Sequence, residues 1–249
     1  MSGDLLAQRF SGRLTVLCGP FGVGKSEIAI SLSECLASTG RDVFLVDLDV
    51  VTPYFRPRDV SERLAESGVR LVSPPGEAAF LDLPAVPGGV CEVLSRGARG
   101  EASVVVDLGG RADGAQVFAS VRDALTQGPH WDMLFVLNPY RPDSATAEVA
   151  GSVLRGVEEA SRARVTGLVA NPHLKQATTA DDLVRGFARV EGAARALDLP
   201  VRLRCAPDGM AALVETGPVL PLRLALLLPF ESAPAGAPGR VWPGMQGAP

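Results

Sequence analysis

Gly19-Pro20-Phe21-Gly22-Val23-Gly24-Lys25-Ser26 fits the pattern G-x-x-x-x-G-K-[ST]. The spacing has a chemical reason. Backbone N–H groups that wrap a phosphate must turn inward, and Gly22 and Gly24 permit the dihedrals and the close approach this requires. Lys25 can then reach the β- and γ-phosphates as a point charge, while Ser26 offers its hydroxyl to Mg2+. A helix opening at this point adds its dipole in favour of an anion. Gly19, Phe21, Gly22, Val23, Gly24, Lys25, Ser26 and Glu27 are thus the candidate phosphate-binding residues.

The flanks agree with this reading. Residues 13–18 read as a short buried strand entering the loop. Residues 26–38 read as an amphipathic helix leaving it, with Ile28, Leu32, Cys35 and Leu36 on one face. Lysine sharpens the point, because the chain holds only Lys25 and Lys175 and one of them fills the required position.

Composition bounds the rest. The 249 residues suffice for one large domain, and 47% apolar with 21% charged residues is ordinary for a globular chain. A net charge of −4 gives no sign of a broad nucleic-acid-binding surface. No apolar run has the length of a transmembrane helix, and residues 1–13 lack a signal-peptide core, so a cytoplasmic location is expected. The four cysteines form no C-x-x-C, and His130 and His173 stand alone, so no zinc site is indicated.

In chain order, apolar runs at 43–46, 69–72, 103–106, 131–137, 164–170 and 201–205 read as further strands. Helices are expected at 61–67, 116–125, 143–162 and 180–197, with Thr178 and Thr179 opening the last. Residues 73–90, rich in Pro and Gly, are expected to hold little regular structure. The fold class is therefore α/β: a doubly wound, mostly parallel sheet with helices on both faces, its ligand beyond the carboxyl ends of the strands. The apolar stretch 218–230 is expected to pack on this sheet. Residues 1–231 are taken as one domain, and 232–249 as a disordered Pro/Gly-rich tail.

Strand ends supply the remaining chemistry. Asp107 opens Asp-Leu-Gly-Gly after a buried strand, where a carboxylate can hold Mg2+ opposite Ser26 and the N–H of Gly110 can meet a γ-phosphate. Asp47 and Asp49 are two apart in an extended segment and can face one side, one supporting the metal and the other positioning an attacking water. Asn138 and Asn171 end two later strands, and either amide could hydrogen-bond an adenine amino group or could merely cap a turn. The guanine code N-K-x-D is missing: Asn171-Pro172-His173-Leu174 has neither the Lys nor the Asp.

Taken together, the loop 19–26, Asp47-Leu48-Asp49 and Asp107-Leu108-Gly109-Gly110 resemble the SIMIBI class of P-loop NTPases, and within it the ParA/MinD/CobQ-like branch. The resemblance covers most of residues 14–205. It implies ATP and Mg2+ as cofactors and slow ATP hydrolysis. It gives Lys25, Asp49 and Asp107 catalytic roles, Asp49 being the water-positioning acid. Ser26, Asp47 and Asp107 would lie at the metal. Members of the branch often dimerise face to face over the nucleotide and so switch their hold on a partner. One position departs. Pro20 stands where the branch carries a second lysine, and Phe21 replaces a glycine. Arg56 or Arg58 could supply a substitute charge, or each could be a solvated surface residue. A homodimer over the nucleotide is thus left open, and the protein partner is unidentified. The expected function is a nucleotide-controlled switch with slow ATPase activity. The alternatives are a small-molecule kinase on the same loop and an ATP-bound scaffold without turnover.

Overall fold

The computed structural model describes residues 2–49, 60–73, 88–125, 128–214 and 219–223. The strands are β1 (Leu14–Cys18), β2 (Val43–Leu48), β3 (Val69–Val72), β4 (Ser103–Leu108), β5 (Trp131–Leu137), β6 (Gly167–Ala170), β7 (Val201–Pro207) and β8 (Val219–Leu222). They form one sheet in the order β3-β2-β4-β1-β5-β6-β7-β8, every pair parallel. Parallel strands need crossovers, and the helices that supply them cover both faces.

Period-two alternation divides the strand residues between those faces. Leu14, Val16, Phe44, Val46, Val104, Val106, Met133 and Phe135 pack on one side. There they meet α4 (Gly88–Ala98), α5 (Arg111–Leu125), α6 (Ala147–Ser161) and α7 (Ala180–Leu197). Leu17, Val43, Leu45, Val105, Leu134, Val136 and Val169 point to the other side. That side is covered by α1 (Ser2–Phe10), α2 (Lys25–Ala37) and α3 (Ser61–Glu66). The same parity decides where polar strand-end residues go. Asp107 follows Val105 by two, Asp47 follows Leu45, Asn138 follows Val136 and Asn171 follows Val169. All four therefore share the α2 face.

Several sequence expectations need correction. Helix α4 was not foreseen, because Gly88, Gly89 and Gly97 mask it; yet Val90, Leu94 and Ala98 are buried at a four-residue period. Gly97 belongs there for a packing reason: a Cβ would sit 2.7 Å from the Val104 side chain. Helix α5 begins at Arg111 rather than 116, α6 only at Ala147, and β6 only at Gly167. α1 was also unforeseen; it buries Leu6 and Phe10. The apolar segment after 218 does more than pack on the sheet: Val219–Leu222 joins it as β8, so β7 is not the last strand. Residues 218 and 224–230, residues 74–87 of the stretch expected to hold little regular structure, the tail 232–249, and Arg56 and Arg58 lie outside the described residues. α7 starts as expected, with Thr179 as cap, its hydroxyl and Asp182 completing a capping box.

Candidate functional site

The loop 19–24 joins β1 to α2 at the middle of the sheet. Its glycines take left-handed dihedrals, with φ of 137° at Gly19, 72° at Gly22 and 94° at Gly24. Two of them are also crowded. A Cβ on Gly19 would come within 2.8 Å of the Val136 carbonyl, and one on Gly24 within 2.5 Å of Asn171 Nδ2. Phe21 projects outward at 56% exposure, whereas Val23 is fully buried. Glu27 lies partly buried in the first turn of α2.

Lys25 is 6% exposed, and its Nζ donates to the carbonyls of Gly19 (3.2 Å) and Pro20 (3.0 Å). Burial lowers its pKa, opposed by the charges of Asp107 and Asp49. A cation beside two acids is thus the electrostatic centre of the loop.

The acids arrive on adjacent strands. Asp47 on β2 is opposite Asp107 on β4, and Asp107 is in turn opposite Leu17 on β1. Asp107 is wholly buried, which pushes its pKa up to about 7; Lys25 opposes the rise, and Asp47 adds to it. Among the described residues no donor completes a hydrogen bond with either Asp107 oxygen, although the Ser26 hydroxyl is near enough to favour the ionised form. Asp47 Oδ1 accepts from the Asp49 N–H at 3.1 Å, holding the turn after β2. Asp49 is 5% exposed and lies against Gly109, where a Cβ would meet its Oδ1 at 2.9 Å. Gly110 sits closer still to the loop: a Cβ there would lie 3.1 Å from the Phe21 nitrogen and 3.4 Å from Lys25 Nζ. Lys25, Ser26, Asp47, Asp49, Asp107 and Gly110 are thus brought to one place.

A buried carboxylate with no donor on either oxygen is chemistry that suits a cation. Among the described residues no three His, Cys, Asp or Glu side chains converge on one metal position. A divalent ion held by Ser26 and Asp107 would therefore complete its shell with phosphate oxygens and water, as Mg2+ prefers.

The two asparagines differ. Asn138 ties loops together: Nδ2 donates to the His173 carbonyl (2.9 Å), and Oδ1 accepts from the Tyr140 N–H (3.1 Å). Asn171 touches the phosphate loop itself, donating from Nδ2 to the Val23 carbonyl at 2.8 Å, while its buried Oδ1 has no partner among the described residues. His173, read from sequence as an isolated residue, lies beside them: a Cβ on Gly24 would be 3.2 Å from its Nε2. Burial first, then Arg141 and Lys175, push its pKa down to about 4, so it is neutral at pH 7. Its position three residues past the end of β6 was the available signal.

This sheet order, loop and pair of acidic strand ends define a P-loop NTPase of the SIMIBI class. A family model described as the CobQ/CobB/MinD/ParA nucleotide binding domain matches residues 16–201, and the chain belongs to that family. It is a nucleotide-binding domain, and the family implies Mg2+ beside the nucleotide. None of the curated proteins compared with it matches significantly. Similar solved structures include chloroplast FtsY from Physcomitrella patens, at 18% identity and TM-score 0.52, covering 82% of this chain and 64% of that one. FtsY from Elizabethkingia anophelis in complex with GDP has 19% identity and TM-score 0.50, covering 82% and 63%. The cell division protein FtsY from Thermotoga maritima has 18% identity and TM-score 0.50, covering 82% and 68%. The chain spans less than two thirds of the first two proteins, and the likeness is one of fold. Among the described residues no helix is long and apolar enough to cross a membrane.

Proposed function

We propose that the chain is a Mg2+-dependent ATPase of slow turnover that acts as a nucleotide-controlled switch on a protein partner. The observation that carries this reading is the burial of Asp107, without a donor on either oxygen, beside Lys25 and Ser26 at the end of β1. The backbone of 19–24 cradles the phosphates, and Lys25 leaves the Gly19 and Pro20 carbonyls for the β/γ-phosphate oxygens. Ser26 and Asp107 hold the ion, with Asp47 behind. When bound, Mg2+ supplies charge neutralisation on the phosphate oxygens. Asp49 orients the attacking water, and the Gly110 N–H faces the γ-phosphate. ATP is favoured over GTP because Asn171 is followed by Pro172-His173-Leu174 rather than the guanine code. Its unpartnered buried Oδ1 is an acceptor suited to the adenine amino group.

The test is binding and hydrolysis of ATP and GTP with Mg2+, with oligomeric state measured in each nucleotide state. Slow ATP hydrolysis that Asp49→Ala removes while binding persists is the expected result. GTP preferred over ATP would overturn the base assignment. Absence of binding to either would overturn the whole reading.

A further inference from the structure

The opposite end of the sheet carries a charge cluster that the nucleotide chemistry does not use. Arg9 and Phe10 at the end of α1, Arg13 just before β1, Asp132 and Leu134 on β5, and Arg202 on β7 line one pocket of about 180 Å³. Among the described residues its one carboxylate, that of Asp132, is already engaged. Asp132 Oδ2 accepts from Nε (3.1 Å) and Nη2 (2.8 Å) of Arg13, and Oδ1 accepts from the Thr166 hydroxyl at 3.0 Å. The neighbouring Arg204 is paired with Glu191. Arg9 and Arg202 share the pocket with neither of these acids bonded to them. Burial and then the Arg202 charge lower the Arg9 pKa, with Asp132 opposing and Arg204 adding to the effect. Arg202 is also held in place: its stem crosses Gly167, where a Cβ would come within 2.3 Å of Arg202 Cγ.

We propose that Arg9, Arg13 and Arg202 form a second anion site at the amino-terminal edge of the sheet, for a phosphate-type oxyanion, inorganic phosphate or a phosphate monoester. Three guanidiniums against one carboxylate leave two positive charges in the wall. A phosphate monoester carries about −1.5 to −2 at pH 7 and offers three acceptor oxygens. Guanidinium forks match those oxygens two at a time, so one anion can bridge Arg9 and Arg202 and relieve their repulsion. The five residues of β1 at ~3.3 Å each put the site on the order of 15 Å from the phosphate loop, so it cannot be part of the same nucleotide grip.

Calorimetric titration at low ionic strength tests the proposal, with inorganic phosphate in one arm and glycerol phosphate in the other. Wild type, Lys25→Ala, Arg9→Gln, Arg202→Gln and Gly167→Ala are compared, each checked for folding by circular dichroism. Should Lys25→Ala not fold, wild type with its loop filled by ATP and Mg2+ takes its place. Binding should survive loss of the loop lysine and weaken by roughly tenfold or more in Arg9→Gln and Arg202→Gln. Gly167→Ala keeps every charge but displaces the Arg202 stem, so it should weaken binding as well. Tighter binding of glycerol phosphate supports the site and names a monoester as ligand; binding of phosphate at least as tight supports it and names the free ion. If neither anion binds once the loop is disabled, or if binding ignores both arginine substitutions, the second site does not exist.

Discussion

The two ends of this sheet solve opposite electrostatic problems. At the carboxyl end, Asp47, Asp49 and Asp107 are almost wholly buried around one ammonium, and Asp107 is left without a donor on either oxygen among the described residues. At the amino end, arginines predominate, and acids such as Asp42, Asp132 and Glu158 are mostly consumed in pairs. A cavity of about 660 Å³ on that edge, lined by Arg122, Arg155, Arg162 and Arg164 with Glu158 and Glu159, shows the same bias. Burial makes the difference. Charges at the carboxyl end are desolvated, so one left unmatched is costly. Those at the amino end keep much of their water and cost little when unmatched.

The largest effect should come from breaking the buried end. Lys25→Ala and Asp107→Ala are each expected to lower nucleotide turnover by about 10²–10³-fold, measured as steady-state phosphate release, because on the proposed reading Lys25 meets the phosphates and Asp107 holds the Mg2+ that neutralises them. Gly24→Ala comes next. Its Cβ would have to displace Asn171 in a backbone at φ 94°, so it should destabilise the fold by about 1–3 kcal/mol and weaken nucleotide binding.

A third experiment reads the proton on Asp107. Its pKa is about 7 in the folded chain against an ordinary 3.8, so folding favours the protonated form. As pH rises from about 4 to 7 the unfolded chain gives up this proton while the folded one keeps it, and stability falls by an amount on the order of a few kcal/mol, levelling off above 7. Asp107→Asn lacks this dependence, so nucleotide-free melting curves should shift progressively in its favour across that window. Binding of Mg2+ and nucleotide near pH 6 should release a proton in wild type alone, seen as a buffer-dependent heat. The smallest effect belongs to the exposed end. Arg99→Ala breaks a solvated pair with Glu101 and should leave the melting curve unmoved.

How much of this was legible depends on burial too. The loop 19–26 and the acids 47, 49 and 107 could be read because a phosphate cradle demands particular residues at particular spacings, and a doubly covered parallel strand announces itself as an apolar run. Helix α4 was hidden because it opens on Gly88-Gly89 and because Gly97 answers to close packing on Val104, a demand that appears only in three dimensions. β8 was hidden because Val219–Leu222 contains Pro221, which weakens a strand reading although the edge of the sheet accepts it. His173 was passed over because nothing within its own segment shows that β6 ends against the phosphate loop. The arginine pocket was invisible for the same reason, its residues being contributed by α1, the lead into β1, β5 and β7.

The bond from Asn171 to Val23 spans 148 residues of chain and links two jobs usually considered apart. The side chain proposed above to meet the base through Oδ1 also braces, through Nδ2, the peptide that shapes the phosphate loop. A base that pulls the amide toward itself would slacken that brace, and one that leaves it in place would keep the grip taut. If Asn171 reads the base as proposed, selectivity among nucleotides would be expressed in how firmly the phosphates are held, and the loop itself would report which base has arrived.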